Sequence, residues 1–410
     1  MSAPDRRPLF GLLVLTGINL FNYLDRYLLA GVLHKVQGEF NLSNTAGGTI
    51  ASTFIIVYTF ASPVGGYLGD RVQRRYLIAG AVAIWSLATV GSGLATSFAF
   101  LLVARALTGV GEAGYGTVAP AYLSDLFPAS KRSRILSLFY TAIPLGAAAG
   151  FVLGGAMAEH GNWRHAFFLG GAPGLLLAVG ALFLPEPTRG AMDGAGAQVK
   201  VPFIEGLKAL AGNTRFWFST AALTLMTFSI GGLGYWMKTF LETERGFTST
   251  GAGTALGATT VVGGLVGTIL GGLLGDRLEK RKAGGGIWLS AWGLSLAAPF
   301  MIASTLLENR SMILGALLLA QVFIFLNQGP LNASVVNAVP PGFRAFAIGL
   351  CTLTLHLLGD ATSPTLIGMV GDASSLARAI QFNAVPVLLA GVVLFIGVKH
   401  YRAPAASDQA

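Results

Sequence analysis

The chain has 410 residues, 53% of them hydrophobic and only 11% charged, with a mean hydropathy of +0.66. Charge this sparse excludes an ordinary soluble protein of that size and points to a membrane-embedded one. The formal net charge of +9 does not indicate nucleic acid, because the basic residues sit in short groups between apolar runs, where membrane topology accounts for them. A single cysteine, Cys351, excludes a disulfide framework and a thiolate metal site. No cofactor is expected, and no phosphate-binding G-x-x-x-x-G-K-[ST] loop is present.

Apolar runs of spanning length fall at about 9–31, 45–69, 76–96, 98–123, 132–158 and 163–185, and six more at about 216–240, 250–274, 285–307, 311–337, 343–370 and 377–399. The predicted fold is therefore all-α and membrane-spanning, with twelve transmembrane helices in two six-helix bundles. The expected divisions are a first bundle over 1–185, a cytoplasmic linker over 186–214 and a second bundle over 215–410. Arg6 and Arg7 precede the first run without a small-residue cleavage site, so that run reads as a retained helix. The linker carries the breakers Pro185, Pro187, Gly190, Gly194, Gly196 and Pro202, with one short surface helix expected near 203–211.

Basic residues orient the chain. With both termini on one side, nineteen Lys and Arg fall there, against six (Lys35, Arg164, Lys238, Arg245, Arg310 and Arg378) in the opposite loops. Both termini and the linker are accordingly expected in the cytoplasm, in a multi-pass protein of the cell or inner membrane. A repeat supports the division into halves. Gly66-Tyr-Leu-Gly-Asp70-Arg71-Val-Gln73-Arg74-Arg75 follows the second run, and Gly272-Leu-Leu-Gly-Asp276-Arg277-Leu-Glu279-Lys280-Arg281 follows the eighth, at a constant offset of 206.

Charges inside the runs mark candidate sites, because an ionised group at membrane depth needs a partner or water. The first run contains Asn19, Asn22, Tyr23, Asp25 and Arg26, of which Asn19, Asn22, Tyr23 and Arg26 share a face. In the fourth run Arg105 and Glu112 are seven residues apart and hence on nearly the same face. Burial favours a neutral carboxyl and a nearby guanidinium an ionised one, so Glu112 is a candidate for proton coupling. An interhelical ion pair, for example with Arg26, is the structural alternative. Pro144, Gly146, Gly150, Gly154 and Gly155 in the fifth run read as a close-packing stripe, and Asn162, Trp163, Arg164, Phe167 and Phe168 as an interfacial anchor. His356 and Asp360 in the eleventh run form an i, i+4 pair open to either a functional or a structural reading. Thr224, Thr227, Ser229, Tyr235, Gln321, Asn327, Gln328 and Asn332 read mostly as interhelical glue.

The repeated loop resembles the signature cytoplasmic loop of the major facilitator superfamily, G-x-L-x-D-R-x-G-R-R/K, with Gln73 and Glu279 standing where that family usually has glycine. Physically such a loop is a gate, its Asp accepting from a facing helix N-terminus and its arginines pairing with carboxylates. The candidate gate residues are Asp70, Arg71, Arg74, Asp125, Asp276, Arg277 and Arg281, with Asp125 the expected partner of Arg74. The stretches Asn22-Tyr23-Leu24-Asp25-Arg26, Gly111-Glu112-Ala113, Asp125-Leu126-Phe127, Glu186-Pro187 and His356-Leu-Leu-Gly-Asp360 together resemble the spinster family within that superfamily. The compact chain points to a bacterial member.

That resemblance implies export of lysophospholipids or sphingoid-type lipids by a proton-linked secondary transporter working by alternating access, without enzymatic activity. Asp25 and Glu112 would couple to protons, and Arg26, Arg105, Asn22, Tyr23 and His356 would bind substrate. The expected partners are an amphipathic lipid or organic anion, protons and the bilayer, with no nucleic acid and the chain a monomer. Two transport alternatives stay open, a proton-coupled symporter of small organic anions or sugar acids and a multidrug exporter. A membrane-embedded lipid enzyme or a receptor is the alternative of a different class.

Overall fold

The computed structural model describes residues 7–188, 203–339 and 343–401. Arg6, Arg402 and the central part of the expected linker, including Arg189, Gly190, Gly194, Gly196, Lys200 and Pro202, lie outside the described residues. Regular structure among the described residues is entirely helical, in the order α1 (Arg7–Phe40), α2 (Asn44–Gly69), α3 (Arg74–Gly93), α4 (Phe98–Gly116), α5 (Ala119–Leu126), α6 (Ala129–Tyr140), α7 (Ala142–His160), α8 (Trp163–Leu182), α9 (Phe203–Ala211), α10 (Thr214–Thr243), α11 (Ser249–Arg281), α12 (Gly285–Leu306), α13 (Arg310–Phe325), α14 (Gln328–Asn337), α15 (Arg344–Leu355), a π-helical turn at His356–Asp360, α16 (Ser363–Ala373) and α17 (Leu376–Tyr401). Eleven helical stretches among them are long and apolar enough to cross a membrane. The twelfth, α4 with α5, is made less apolar by Arg105 and Glu112.

Four of the twelve predicted runs are broken, and proline explains where. A proline inside a helix lacks an N–H and pushes its ring against the carbonyl four residues earlier. The break after Gly116 lies four residues ahead of Pro120, and that after Tyr140 four ahead of Pro144. Leu326, the C-cap of α13, lies four ahead of Pro330, and Asp360, which ends the π-helical turn, four ahead of Pro364. These are runs four and five of the first half and ten and eleven of the second, the same positions in each repeat. Pro63, Pro173, Pro299 and Pro386 are carried within continuous helices.

The chain forms two compact units, one of Met1–Gly196 with Phe247–Gly257 and the other of Ala197–Gly246 with Ala258–Ala410. In the first, α1 packs on α7 and α8, α2 on α4, and α3 between α4 and α8. Leu12, Leu15, Ile18, Ile78, Trp85 and Tyr115 belong to its apolar core. In the second, α12 packs on α13 and α17, while α10 packs on α17 and on the segment from α15 through α16. Large apolar side chains such as Phe60, Leu176, Ile269 and Leu273 are exposed, as expected where the solvent is hydrocarbon.

Glycines set the closest approaches, since apolar surface alone gives no drive for helices to associate in lipid. A Cβ on Gly146, Gly150 or Gly154 of α7 would stand closer than 3.0 Å to the backbone of α1, so these three residues of the predicted stripe form the α1–α7 seam, while Gly155 faces Ser249 of α11. A Cβ on Gly109 of α4 would lie 2.6 Å from the Phe54 carbonyl oxygen of α2. The corresponding seam of the second unit runs along Gly263, Gly267 and Gly271 of α11, which meet Gln321 to Leu326 at the end of α13.

Two readings from sequence are corrected here. Lys238 is no loop residue: it is fully buried in α10, and its Nζ donates to Glu242 Oε1 at 2.6 Å one turn on. Of the other five, Lys35, Arg164, Arg310 and Arg378 also lie in helices but are at least partly exposed, and Arg245 lies just beyond α10. The Trp163 and Arg164 pair is also no simple interfacial anchor. Trp163 is buried, and its indole N–H and the Arg164 guanidinium both donate to the Glu39 carboxylate, at 2.6 and 2.6–2.7 Å, tying the ends of α1 and α8 together.

Gly150→Leu is expected to force α1 from α7 and lower the thermal midpoint in detergent, at an overpacking cost of about 1–3 kcal/mol. Gly180→Leu on α8, where a Cβ meets nothing within 4 Å, is expected to leave the midpoint unchanged. Equal midpoints in size-exclusion melting of the two variants would contradict the seam.

Candidate functional site

The charged residues of α1 and α4 meet inside the first unit as two crossed ion pairs. Arg26 Nε donates to Glu112 Oε2 at 2.6 Å, and Arg105 NH1 donates to Asp25 Oδ2 at 3.1 Å and Oδ1 at 3.3 Å. The adjacent residues Asp25 and Arg26 thus each find the opposite charge on α4, and the seven-residue spacing of Arg105 and Glu112 supplies both. Asp25 and Arg105 are 1% exposed and Glu112 fully buried, whereas the Arg26 side chain is 20% exposed. Desolvated charges of this kind need close partners, because each ion taken from water costs several kcal/mol unless its field is answered.

Rings from α1 and α2 complete the site. The Arg26 guanidinium carbon lies 5.0 Å from the Tyr23 ring centroid, 5.3 Å from that of Phe54 and 4.7 Å from that of Tyr58. Phe54 also faces Arg105 at 5.1 Å. The seam at Gly109 makes this possible, since it brings the α2 backbone at Phe54 and Tyr58 directly against α4. Aromatic faces are electron-rich and attract cations most strongly where water is excluded. Phe54 and Tyr58 carry no charge to single them out in the sequence, although their i, i+4 spacing places them on one helix face.

The hydrogen bonding is incomplete. Glu112 Oε1, Arg105 Nε and Asn22 Nδ2 are buried and make no hydrogen bond among the described residues. Asn19, one turn before Asn22, donates to the Phe139 carbonyl at 3.1 Å. Glu112 and Arg105 therefore each keep one uncommitted atom, whereas both oxygens of Asp25 accept from Arg105, and the four formal charges sum to zero. Such a cluster can accept an anion at its arginines or a proton at its carboxylates.

The other predicted residues stand elsewhere. His356 Nδ1 lies 3.1 Å from both oxygens of Asp360 in the π-helical turn of the second unit, with both side chains about a fifth exposed. Gly359 lets that turn lie against α10, its absent Cβ only 3.0 Å from the Thr224 carbonyl. Thr224 Oγ1 donates to its own helix at the Thr220 carbonyl, Ser229 Oγ to the Asn383 carbonyl of α17, and Asn327 and Asn332 to carbonyls within their own segment.

At the repeated loops, Arg74 NH1 donates to Asp125 Oδ2 at 2.5 Å, and Arg74 Nε approaches the Gly69 carbonyl at 3.4 Å. Asp70 caps α2 through its backbone N–H, Arg71 stacks on Tyr67 with its guanidinium carbon 3.5 Å from the ring centroid, and Asp70, Arg71, Asp276, Arg277 and Arg281 are exposed. The departure at Gln73 and Glu279 has a structural counterpart. Glu279 accepts from the N–H groups of Gly284 (3.0 Å) and Gly286 (2.9 Å) at the start of α12. At the start of α3 the same service comes from Glu186, which accepts from the N–H groups of Arg74 (3.0 Å) and Arg75 (3.2 Å). A neutral Gln in the one loop is thus matched by a carboxylate brought from beyond α8.

Comparison with known proteins places this architecture. Residues 15–364 match the model of the Major Facilitator Superfamily, and the chain belongs to that superfamily of membrane transporters. Within it the chain is one of the spinster proteins. It is 35% identical over 396 residues to Protein spinster homolog 3 of Danio rerio, covering 91% of this chain and 79% of that one. To Protein spinster homolog 1 of Homo sapiens it is 36% identical over 390 residues, covering 88% and 72%. The fold is shared with the crystal structure of a bacterial homologue of the human lysosomal transporter spinster in its inward-facing, unoccupied conformation, at a TM-score of 0.90, 23% identity and coverage of 98% of this chain and 100% of that one. It is also shared with a D-xylose–proton symporter, at a TM-score of 0.76 and 17% identity over 97% and 98% of the two chains.

Arg105→Leu is expected to strand the buried Asp25 carboxylate and cost about 3–5 kcal/mol of stability, read as a lower melting midpoint in detergent. Adding Asp25→Leu should recover most of the loss, and a double variant no more stable than Arg105→Leu would show that the pairing is not what matters. Separately, Glu186→Ala removes a helix cap worth about 1 kcal/mol. Hydrogen–deuterium exchange at 74–77 is expected to speed roughly fivefold, with the amides of α12 unaffected.

Proposed function

We propose that the protein is a proton-linked secondary transporter, with no enzymatic step, that moves an amphipathic lipid of the lysophospholipid or sphingoid type by alternating access. The reading takes residues 1–185 and 215–410 as the two moving bundles, 186–214 as their cytoplasmic tether, and a monomer in a cell membrane with both termini in the cytoplasm. The crossed pairs Arg26–Glu112 and Asp25–Arg105 carry it: an electrically neutral, desolvated cluster with uncommitted acceptor and donor atoms, in a transporter of the spinster family.

The physics of the cluster links proton and headgroup. A proton on Glu112 removes the charge that holds Arg26 and frees the guanidinium for a phosphate, which it can bind through two N–H groups at once. Because coupling free energies are reciprocal, phosphate at Arg26 raises the proton affinity of Glu112 by the same factor. Headgroup and proton then favour one another and travel together. Arg105 stays with Asp25, and its Nε is the second donor for the headgroup. Asp25 is the second protonatable carboxylate, Asn22 and Tyr23 border the headgroup, and His356, within its own unit, is a further substrate-binding residue. Arg74 with Asp125, the repeated Asp70, Arg71, Asp276 and Arg277, and Arg281 serve as the cytoplasmic gate.

In proteoliposomes, uptake of a labelled lysophospholipid is expected to rise severalfold when a pH gradient is imposed. Glu112→Gln should retain folding and binding but lose the response to the gradient. A Glu112→Gln protein with its full gradient response would overturn Glu112 as the coupling group, and a wild type that moves sugar acids but no lysolipid would overturn the substrate class.

A further inference from the structure

The exposed surface of the second unit carries an aromatic cluster that neither the buried charges nor the repeated loops use. Trp288 and Trp292, one turn apart on α12, are 43% and 48% exposed. Their ring centroids lie 5.7 Å apart, and Phe395 of α17 stands edge-on to both, at 6.0 and 5.3 Å. A Cβ on Gly391, one turn before Phe395, would lie 2.8 Å from the Ala291 carbonyl oxygen. The two helices therefore run antiparallel in close contact and hold the three rings in one surface.

An aromatic belt at the membrane interface explains a tryptophan at one depth. Two at successive turns ask for more. Measured from Gly285, the first residue of α12, Trp288 lies about 5 Å and Trp292 about 10 Å along the axis, whereas the polar layer on each side of a bilayer is only about 5–7 Å thick. Trp292 thus reaches the edge of the hydrocarbon with an indole N–H to satisfy. The indole N–H groups of Trp163, Trp217 and Trp236 donate to Glu39 and to the Leu210 and Pro364 carbonyls. Those of Trp288 and Trp292 have no protein acceptor among the described residues. A donor left unpaired in an apolar medium is costly, and at that depth the acceptors on offer are the phosphate and ester oxygens of a lipid.

Charge sits at the outer end of the same face. Lys399, one turn beyond Phe395 at the end of α17, is exposed and makes no ion pair among the described residues. Glu279, the acid before the start of α12, is committed to the N–H groups of Gly284 and Gly286. Toward the bilayer centre the surface continues one turn further with exposed Leu296 on α12 and Val392 on α17. Cation, hydrogen-bond donors, rings and aliphatic surface follow one another in the order of a phospholipid's phosphate, esters and chain.

We propose that Trp288, Trp292, Phe395 and Lys399 form a seat for one anionic diacyl phospholipid of the surrounding bilayer, bound across the α12–α17 seam. Lys399 takes the headgroup phosphate, the two indoles donate to phosphate and ester oxygens, and one acyl chain lies along Leu296 and Val392. A choline headgroup is disfavoured, because it sets a second cation beside Lys399. The lipid touches both helices and so stabilises their packing. This seat is separate from the charge cluster of the first unit, and the lipid on it is a structural ligand rather than cargo.

The test titrates delipidated full-length protein with phosphatidylglycerol or phosphatidylcholine of the same chains and reads the bound lipid by native mass spectrometry. The wild type is expected to hold one phosphatidylglycerol about fivefold more tightly than phosphatidylcholine, and Lys399→Gln to erase that preference. Trp288→Phe combined with Trp292→Phe keeps ring faces but removes both donors, and should weaken both lipids about tenfold with their ratio unchanged. Phosphatidylglycerol should raise the melting midpoint of the wild type more than that of this double variant, and equal midpoints without lipid guard against a folding defect. Equal retention of the two lipids by the wild type, or a double variant that binds like the wild type, overturns the seat. A dimer in the wild-type spectrum that the double variant lacks assigns the face to a second copy of the chain and overturns it as well.

Discussion

A formal charge at membrane depth must meet its opposite, and that constraint organises the first unit. Asp25 and Arg26 are neighbours in sequence, but their side chains leave α1 in different directions, and each is answered from α4 by a residue of the other sign. Removing both charges from α4 would strand two ions of opposite sign that share a backbone and are poorly placed to neutralise one another. The pairing therefore ties the rotation of α1 to the rotation of α4. It also leaves the site neutral overall, the condition under which a headgroup or a proton can be exchanged without leaving net charge in a dry interior.

Close backbone approach is what brings those groups within reach. Gly146, Gly150 and Gly154 seat α7 on one side of α1, and Gly109 seats α2 on α4. The second seam has the larger chemical consequence, because it carries Phe54 and Tyr58 to the guanidinium of Arg26. Small residues that on their own do no chemistry thus decide which rings face which cation. The same economy holds at the cytoplasmic loops, where Glu186 and Glu279 cap the N-termini of α3 and α12 from different places in the chain.

The architecture was largely legible in the sequence, because lipid imposes its demands residue by residue. A spanning helix needs about twenty apolar residues, and the loop repeat at Asp70 and Asp276 identifies the halves without any contact information. The four helix breaks were legible in principle, each lying four residues before a proline, yet runs 98–123, 132–158, 311–337 and 343–370 read as continuous by hydropathy, which is blind to backbone hydrogen bonding. Hydropathy and charge also misread Lys238, since a lysine near a helix end looks like a loop residue unless Glu242 one turn on is known to bury with it. At the site, helical periodicity foresaw that Arg105 and Glu112 share a face. It could not foresee the crossed pairing or the part played by Phe54 and Tyr58, which are ordinary apolar residues until α2 is docked.

What the sequence determined by itself was the membrane environment, the spanning runs, the duplication, and the identity of the buried charges. These depend on composition and local period, which do not change when distant parts of the chain move. Which acid meets which base, which rings face Arg26, and which carboxylate caps which helix were decided only in the tertiary structure. Each of those depends on distances between helices, and glycine-mediated approach sets them to a fraction of an ångström through residues whose own side chains carry no signal.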